Sequence, residues 1–217
     1  MATATKTKKK ASTAEHVATL REIAATDPLA AQDAVWAWFE RLGTLTREDR
    51  EAGSAQLADL FACGQPSVGI DGPKQGTLVA WVHPLPATIA EPVTSRWLPW
   101  QGKTFHAKQA GGQNRLLTSA RWPAKLLWPL YGTRPGDNAR IAFDFQTRVE
   151  RGAIQPDVDV LVIDYAPVES NPGLIIRSIR DELVQVADGV HLGRMLWRHR
   201  DGGHTNLAYF ALRDPSA

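Results

Sequence analysis

Three strand-forming runs close this chain, Glu182 to Val186, Val190 to His199 and Thr205 to Arg213, separated by Asp188-Gly189 and by Asp201-Gly202-Gly203. Asp-Gly steps supply the positive φ angles that tight hairpins demand, and the flanking runs are rich in Val, Leu, Trp, Tyr and Phe. The last third therefore predicts an antiparallel meander.

Upstream, the texture divides the chain into a basic leader over 1–12, expected to be disordered, a helical segment over 13–64 and a β part over 65–217. Glu15 to Ala25 carries Val17, Leu20 and Ile23 at helical spacing. Asp27 followed by Pro28 reads as an N-cap and first turn, starting a helix through Leu42 that stops at Gly43. Thr46 and Asp49 offer a second start, with Leu57, Leu60 and Phe61 on one face and Gly64 as stop. Val35, Trp36, Trp38 and Phe39 exceed what a free helical pair can bury, so the segment packs on the rest of the chain or on another copy. Thr77 to Val82, Thr104 to Lys108, Arg115 to Ala120, Ile141 to Val149 and Val158 to Tyr165 add further strands, about eight in all. The expected fold class is α+β, mainly β: an antiparallel barrel of about eight strands with an N-terminal helical segment.

At 217 residues and 43% apolar content the chain can bury a full core in one domain. No apolar run approaches the ~20 residues of a membrane span, and no apolar stretch follows the leader's lysines, so a soluble, cytoplasmic protein is expected. The net charge of +2 rests on Lys6, Lys8, Lys9 and Lys10; without them 21 basic residues face 23 acidic ones. Basicity belongs to the leader, and no specific nucleic-acid partner is implied. Cys63 has no second cysteine to pair with and reads as a buried structural thiol.

Alternation assigns faces. In Val190 to His199, Arg194 and Arg198 are expected to face water, which turns His191, Gly193, Met195 and Trp197 inward. A two-residue turn at Asp188-Gly189 pairs Ala187 with Val190, Val186 with His191, Val184 with Gly193 and Glu182 with Met195, so Glu182 also points inward. In the strand from Ile141, the aromatic side with Phe143 and Phe145 is the inner one. An outward Asp159 places Val158, Val160, Val162 and Asp164 inside, although Leu161, Ile163 and Tyr165 make an equally apolar opposite face. The expected ligand-binding wall is thus Phe143, Phe145, Val160, Val162, Val184, Met195 and Trp197. Gly193 either leaves ligand space in that wall or marks a bend or close backbone approach.

The terminal run Leu207 to Leu212 and the glycine-marked strand Val190 to Arg194 resemble the lipocalin-like, or calycin, superfamily of ligand-binding barrels. Trp100 to Phe105 and Arg180 to Val184 resemble segments of bacterial proteins of this general sort, to which no activity is attached. Lipocalins themselves carry Gly-x-Trp on the first strand; here Trp81 follows Val79 and Ala80, and Trp100 precedes Gly102. The resemblance implies a cavity for a lipophilic molecule or haem, or, in a few members, cyclisation or isomerisation.

Dinucleotide, phosphate-loop and zinc signatures are absent, and Gly102-Lys103-Thr104 lacks the upstream glycine of a phosphate loop. The candidate catalytic groups are Glu182, His191 and Asp164. An inward Glu182 would titrate above its solution value and suit proton transfer, the bland alternative being a salt bridge to Arg177, Arg180 or another basic group. His191 reads as a structural histidine, a general acid or base, or, less readily, a haem ligand; no metal site and no other cofactor is expected. Trp97, Trp100, Trp122 and Trp128 together could line a barrel mouth. Three functions follow as expectations: binding of a small lipophilic or aromatic molecule in the barrel; cofactor-independent isomerisation, cyclisation or dehydration there; or a protein-interaction module, including self-association, through the helical segment.

Overall fold

The structure is a computed structural model and describes residues 12–83, 100–117, 133–136, 139–173 and 175–215. Three helices come first. Ser12 and Glu15 form a capping box that starts α1 (Thr13–Thr26). Asp27 accepts from the Ala30 amide to cap α2 (Pro28–Glu48), and Asp49 accepts from the Ala52 amide to cap α3 (Arg50–Ala62).

Two expectations are corrected here. Gly43 does not stop α2; a β-carbon there would stand 2.5 Å from the Val79 carbonyl oxygen, so the glycine lets the helix lie directly on the sheet. Thr46 is not a cap. It is buried inside α2, bonds the Leu42 carbonyl at 2.7 Å, and leaves only a glycine's space for Gly53 of α3.

The β part comprises β1 (Gln65–Pro66), β2 (Gly72–Trp81), β3 (Trp100–His106), β4 (Gly111–Leu116), β5 (Arg134–Gly136), β6 (Ala139–Arg151), β7 (Asp159–Asp164), β8 (Ile179–Ala187), β9 (Val190–Arg198) and β10 (His204–Arg213). Eight of these close an antiparallel barrel in the order β2-β3-β4-β6-β7-β8-β9-β10 and back to β2, an architecture compatible with a lipocalin-like fold. The short β1 and β5 flank β8 and β6. The connections 107–110, 152–158 and 188–189 turn at one end of the barrel. At the other end β2, β4, β7 and β9 finish, the last followed by the turn 199–203.

Two hydrophobic clusters separate inside from outside. Leu20, Val35, Phe39, Leu57 and Phe61 of the helices share one cluster with Val160, Val162, Val184, Leu192 and Tyr209 on the outer face of the barrel. The helical segment therefore packs on the barrel itself, and Phe39 is buried there. Trp36 and Trp38 are half-buried against the same cluster, Trp36 beneath the Arg213 guanidinium and Trp38 against His16. The inner cluster holds Phe105, Phe145, Leu161, Ile163, Tyr165 and Phe210 among others.

The expected wall is thereby corrected in part. Phe143, Phe145, Met195 and Trp197 belong to the inner cluster, whereas Val160, Val162 and Val184 lie outside under the helices. Helices covering the barrel make both faces of β7 apolar, so alternation there carried no parity.

A bulge in β8 explains the second error of face. Ala187 does pair with Val190, but Gln185 pairs with His191, leaving Val186 as the extra residue. One extra residue reverses every side chain beyond it: Asp181 faces Met195, and Glu182 faces Arg194 on the outside. The Val186 carbonyl accepts from Arg21 of α1 at 3.0 Å, so the helical segment supports the bulge that sets this register.

Candidate functional site

The barrel interior is built around a lysine. A bulge between Trp100 and Gly102 brings both Trp100 and Lys103 into the inner face of β3. The Lys103 Nζ donates to Asn114 Oδ1 at 2.9 Å, to the Tyr165 hydroxyl at 2.5 Å and to Asp181 Oδ2 at 2.9 Å. All its donors are used. Tyr165 in turn donates to Asp181 Oδ2 at 3.0 Å, and the Trp100 indole N–H donates to Asn114 Oδ1 at 3.0 Å. The Lys103 and Asp181 side chains are 3% and 5% exposed, so the ion pair is almost wholly removed from water.

Aromatic rings complete the shell. Nζ stands 5.7, 5.4, 5.2 and 5.3 Å from the ring centroids of Trp100, Phe145, Tyr165 and Phe210, within the reach of cation–π attraction. Glycines make room for these rings. A β-carbon on Gly193 would meet Phe210 Cζ at 2.2 Å, and one on Gly112 would meet Phe145 Cζ at 2.7 Å. The space left by Gly193 is thus filled by the neighbouring ring of β10.

Asn114 Nδ2 reaches the Phe143 carbonyl at 3.3 Å, and Phe143 occupies a positive φ of 54° where the β4–β6 register shifts. A phenylalanine there is strained, and such strain persists where surrounding contacts over-determine it.

Electrostatics follow from this burial. Desolvation pulls the Lys103 pKa down, with Asp181 opposing. The Tyr165 hydroxyl is pushed well above its ordinary value, first by burial and then by the Asp181 charge. One Asp181 oxygen, Oδ1, is buried with no hydrogen-bond partner among the described residues. An unpaired buried carboxylate oxygen is costly and marks a place where a further donor would be welcome.

The expected catalytic groups fall elsewhere. Glu182 is fully buried, but on the outer face: Oε2 pairs with Arg194 at 2.6 Å, and Oε1 accepts from Arg180 at 2.9 Å and from the Ala153 amide at 2.8 Å. Its inward placement is overturned, and a pairing with Arg180 stands in its place. Arg194 does not face water either; it is buried over the Phe61 ring, 4.2 Å from the centroid.

Asp164 also lies outside the barrel. It bonds Arg148 at 2.9 Å, Arg198 at 3.2 Å and the Ala166 amide at 3.0 Å. Burial pulls its pKa up, but the Ala166 amide and the two arginines outweigh this and hold it below the ordinary value. Through Glu150, which pairs with both Arg148 and Arg180, these ions join Glu182 in one chain across β6, β7, β8 and β9.

His191 shares its face with Gly193 and Met195 but lies far from Lys103 along the strands. It is 5% exposed and hydrogen-bonded to Ser67 at 2.9 Å, near the end of the barrel at which 188–189 turns. Burial first, and the Lys74 charge second, lower its pKa to about 4.

Lys103, Asn114, Tyr165 and Asp181 were not singled out in the sequence. Gly102 within a strand was the available signal, because an interior strand glycine marks a bulge that can redirect its neighbours. Trp97, Trp122, Trp128 and the Trp122 to Tyr131 connector lie outside the described residues; Trp100 is inside the barrel, half-exposed, in contact with Phe210. No family model matches this chain, and no curated protein or solved structure matches it.

Proposed function

We propose that the barrel receives a small, neutral, largely aromatic or apolar molecule through the end at which β2, β4 and β9 finish. Half-buried Trp81, Trp100, Met195 and Trp197 belong to the inner cluster and offer rigid apolar contact area. The lipocalin-like resemblance and the closed barrel favour the same reading. The observation that carries it is the Asp181 Oδ1 left without a donor among the described residues, in an aromatic interior: a ligand N–H or O–H is its natural complement. Lys103 and Asp181 already neutralise each other, so a charged ligand would add an unbalanced charge to a desolvated site and a neutral one would not.

Titration with the neutral fluorescent amine N-phenyl-1-naphthylamine, whose N–H can donate to Asp181 Oδ1, tests the proposal. Saturable, blue-shifted emission is expected, weakened in Trp100→Ala and Trp197→Ala but unchanged in Leu29→Ala, which alters an exposed helix position. Absence of saturation, or equal affinity in all variants, overturns it.

A further inference from the structure

Resting on the reading that the barrel receives a neutral ligand, we infer that Lys103 captures that ligand covalently, condensing with an aldehyde group to give an iminium whose counter-ion is Asp181. The geometry already holds the parts together: Nζ contacts both Asp181 Oδ2 and the Tyr165 hydroxyl, and that hydroxyl contacts Asp181. Of the four rings around Nζ, Phe145, Tyr165 and Phe210 are buried and only Trp100 is partly exposed, so the indole is the wall through which the amine is approached.

The step balances without any co-reactant. The ammonium gives one proton to Asp181, and the freed lone pair forms a bond to the carbonyl carbon as the C=O π pair moves to oxygen. A second nitrogen proton passes to that oxygen through the Tyr165 hydroxyl. Asp181 then returns its proton to the resulting hydroxyl, which leaves as water while the nitrogen lone pair forms C=N. The third proton stays on nitrogen. The site begins as ammonium and carboxylate and ends as iminium and carboxylate, so its net charge never changes, which a desolvated pocket requires. The iminium N–H keeps an acceptor in Asp181.

The full chain is incubated with 2-naphthaldehyde, with binding followed by tryptophan quenching, and is then reduced with cyanoborohydride and mapped by peptide mass spectrometry. The matched alcohol, 2-naphthalenemethanol, binds without condensing. The expected result is a single dominant adduct at Lys103, heavier than the unmodified peptide by the aldehyde's mass less one oxygen, the net of water lost and two hydrogens gained in reductive amination. Excess alcohol suppresses it, and Asp181→Asn diminishes it. Lys103→Met loses it, and if that variant does not fold, the wild-type peptide map decides alone. Saturable binding of aldehyde and alcohol with label spread over other lysines and none at Lys103 overturns covalent capture while leaving the receptor reading intact. Failure of both compounds to bind overturns the receptor reading and the capture with it.

Discussion

The ring of Phe210 abuts Gly193 across β9 and β10, its Cζ only 2.2 Å from where a β-carbon would stand, and its centroid is 5.3 Å from the Lys103 ammonium. The ring is therefore packed between the β9 backbone and the shell of the buried charge. Gly193→Ala must displace the ring from its place beside Lys103, and overpacking of this kind costs about 1–3 kcal/mol. Thermal unfolding followed by circular dichroism should show a lowered midpoint; an unchanged midpoint would show that the ring has other space to occupy.

Phe145 is 3% exposed and meets both Phe105 and Tyr165 edge-on while flanking Lys103. Removing it empties the middle of the barrel and thins the shell around the ion pair. Phe145→Ala should lower the urea unfolding free energy by about 3–5 kcal/mol, and a loss below about 1 kcal/mol would contradict a close-packed interior at this position.

The meander was legible because Asp188-Gly189 and Asp201-Gly202-Gly203 act locally, and local chemistry survives translation into structure. The helix cap at Asp27 was legible for the same reason, whereas the start read at Thr46 falls at Asp49. What the sequence concealed were the bulges. Val186 adds one residue to β8 and thereby exchanges Glu182 for Asp181 as the inward carboxylate, while the shift beside Gly102 turns Lys103 inward. A bulge has no strong local signature, and its support comes from far away in sequence, as Arg21 reaching Val186 shows. Burial on both faces hid the rest. Val162 and Ile163 are each fully buried, one under the helices and one inside the barrel, so hydrophobicity alone could not choose between them.

Glu182 stands between Arg180 and Arg194 beneath the helices, with no exposure to water. Glu182→Gln keeps the shape but leaves Arg194 buried without its counter-charge, which costs about 3–5 kcal/mol where a buried pair loses one partner. The double variant Glu182→Gln with Arg194→Met should recover part of that loss, because the stranded charge is removed with its partner. Urea denaturation of both singles and the double gives the coupling; strictly additive effects would mean that the two side chains do not depend on each other.

His191 gives the fold a specific acid sensitivity. Burial and the nearby Lys74 depress its pKa from an ordinary 6.5 to about 4, with Asp214 opposing. Above pH 6.5 the imidazole is neutral in both folded and unfolded chains and contributes no slope. Between 6.5 and 4 the unfolded chain binds a proton that the folded one refuses, so stability falls as pH falls; below 4 both are protonated and the penalty is constant. At pH 5 this single group should have removed on the order of 2 kcal/mol relative to neutral pH. His191→Gln retains a polar side chain opposite Ser67 but cannot take up the proton. Urea unfolding at pH 7 and pH 5 should therefore show a smaller difference in the variant than in the wild type. Equal differences in the two proteins would show that His191 titrates normally in the folded barrel.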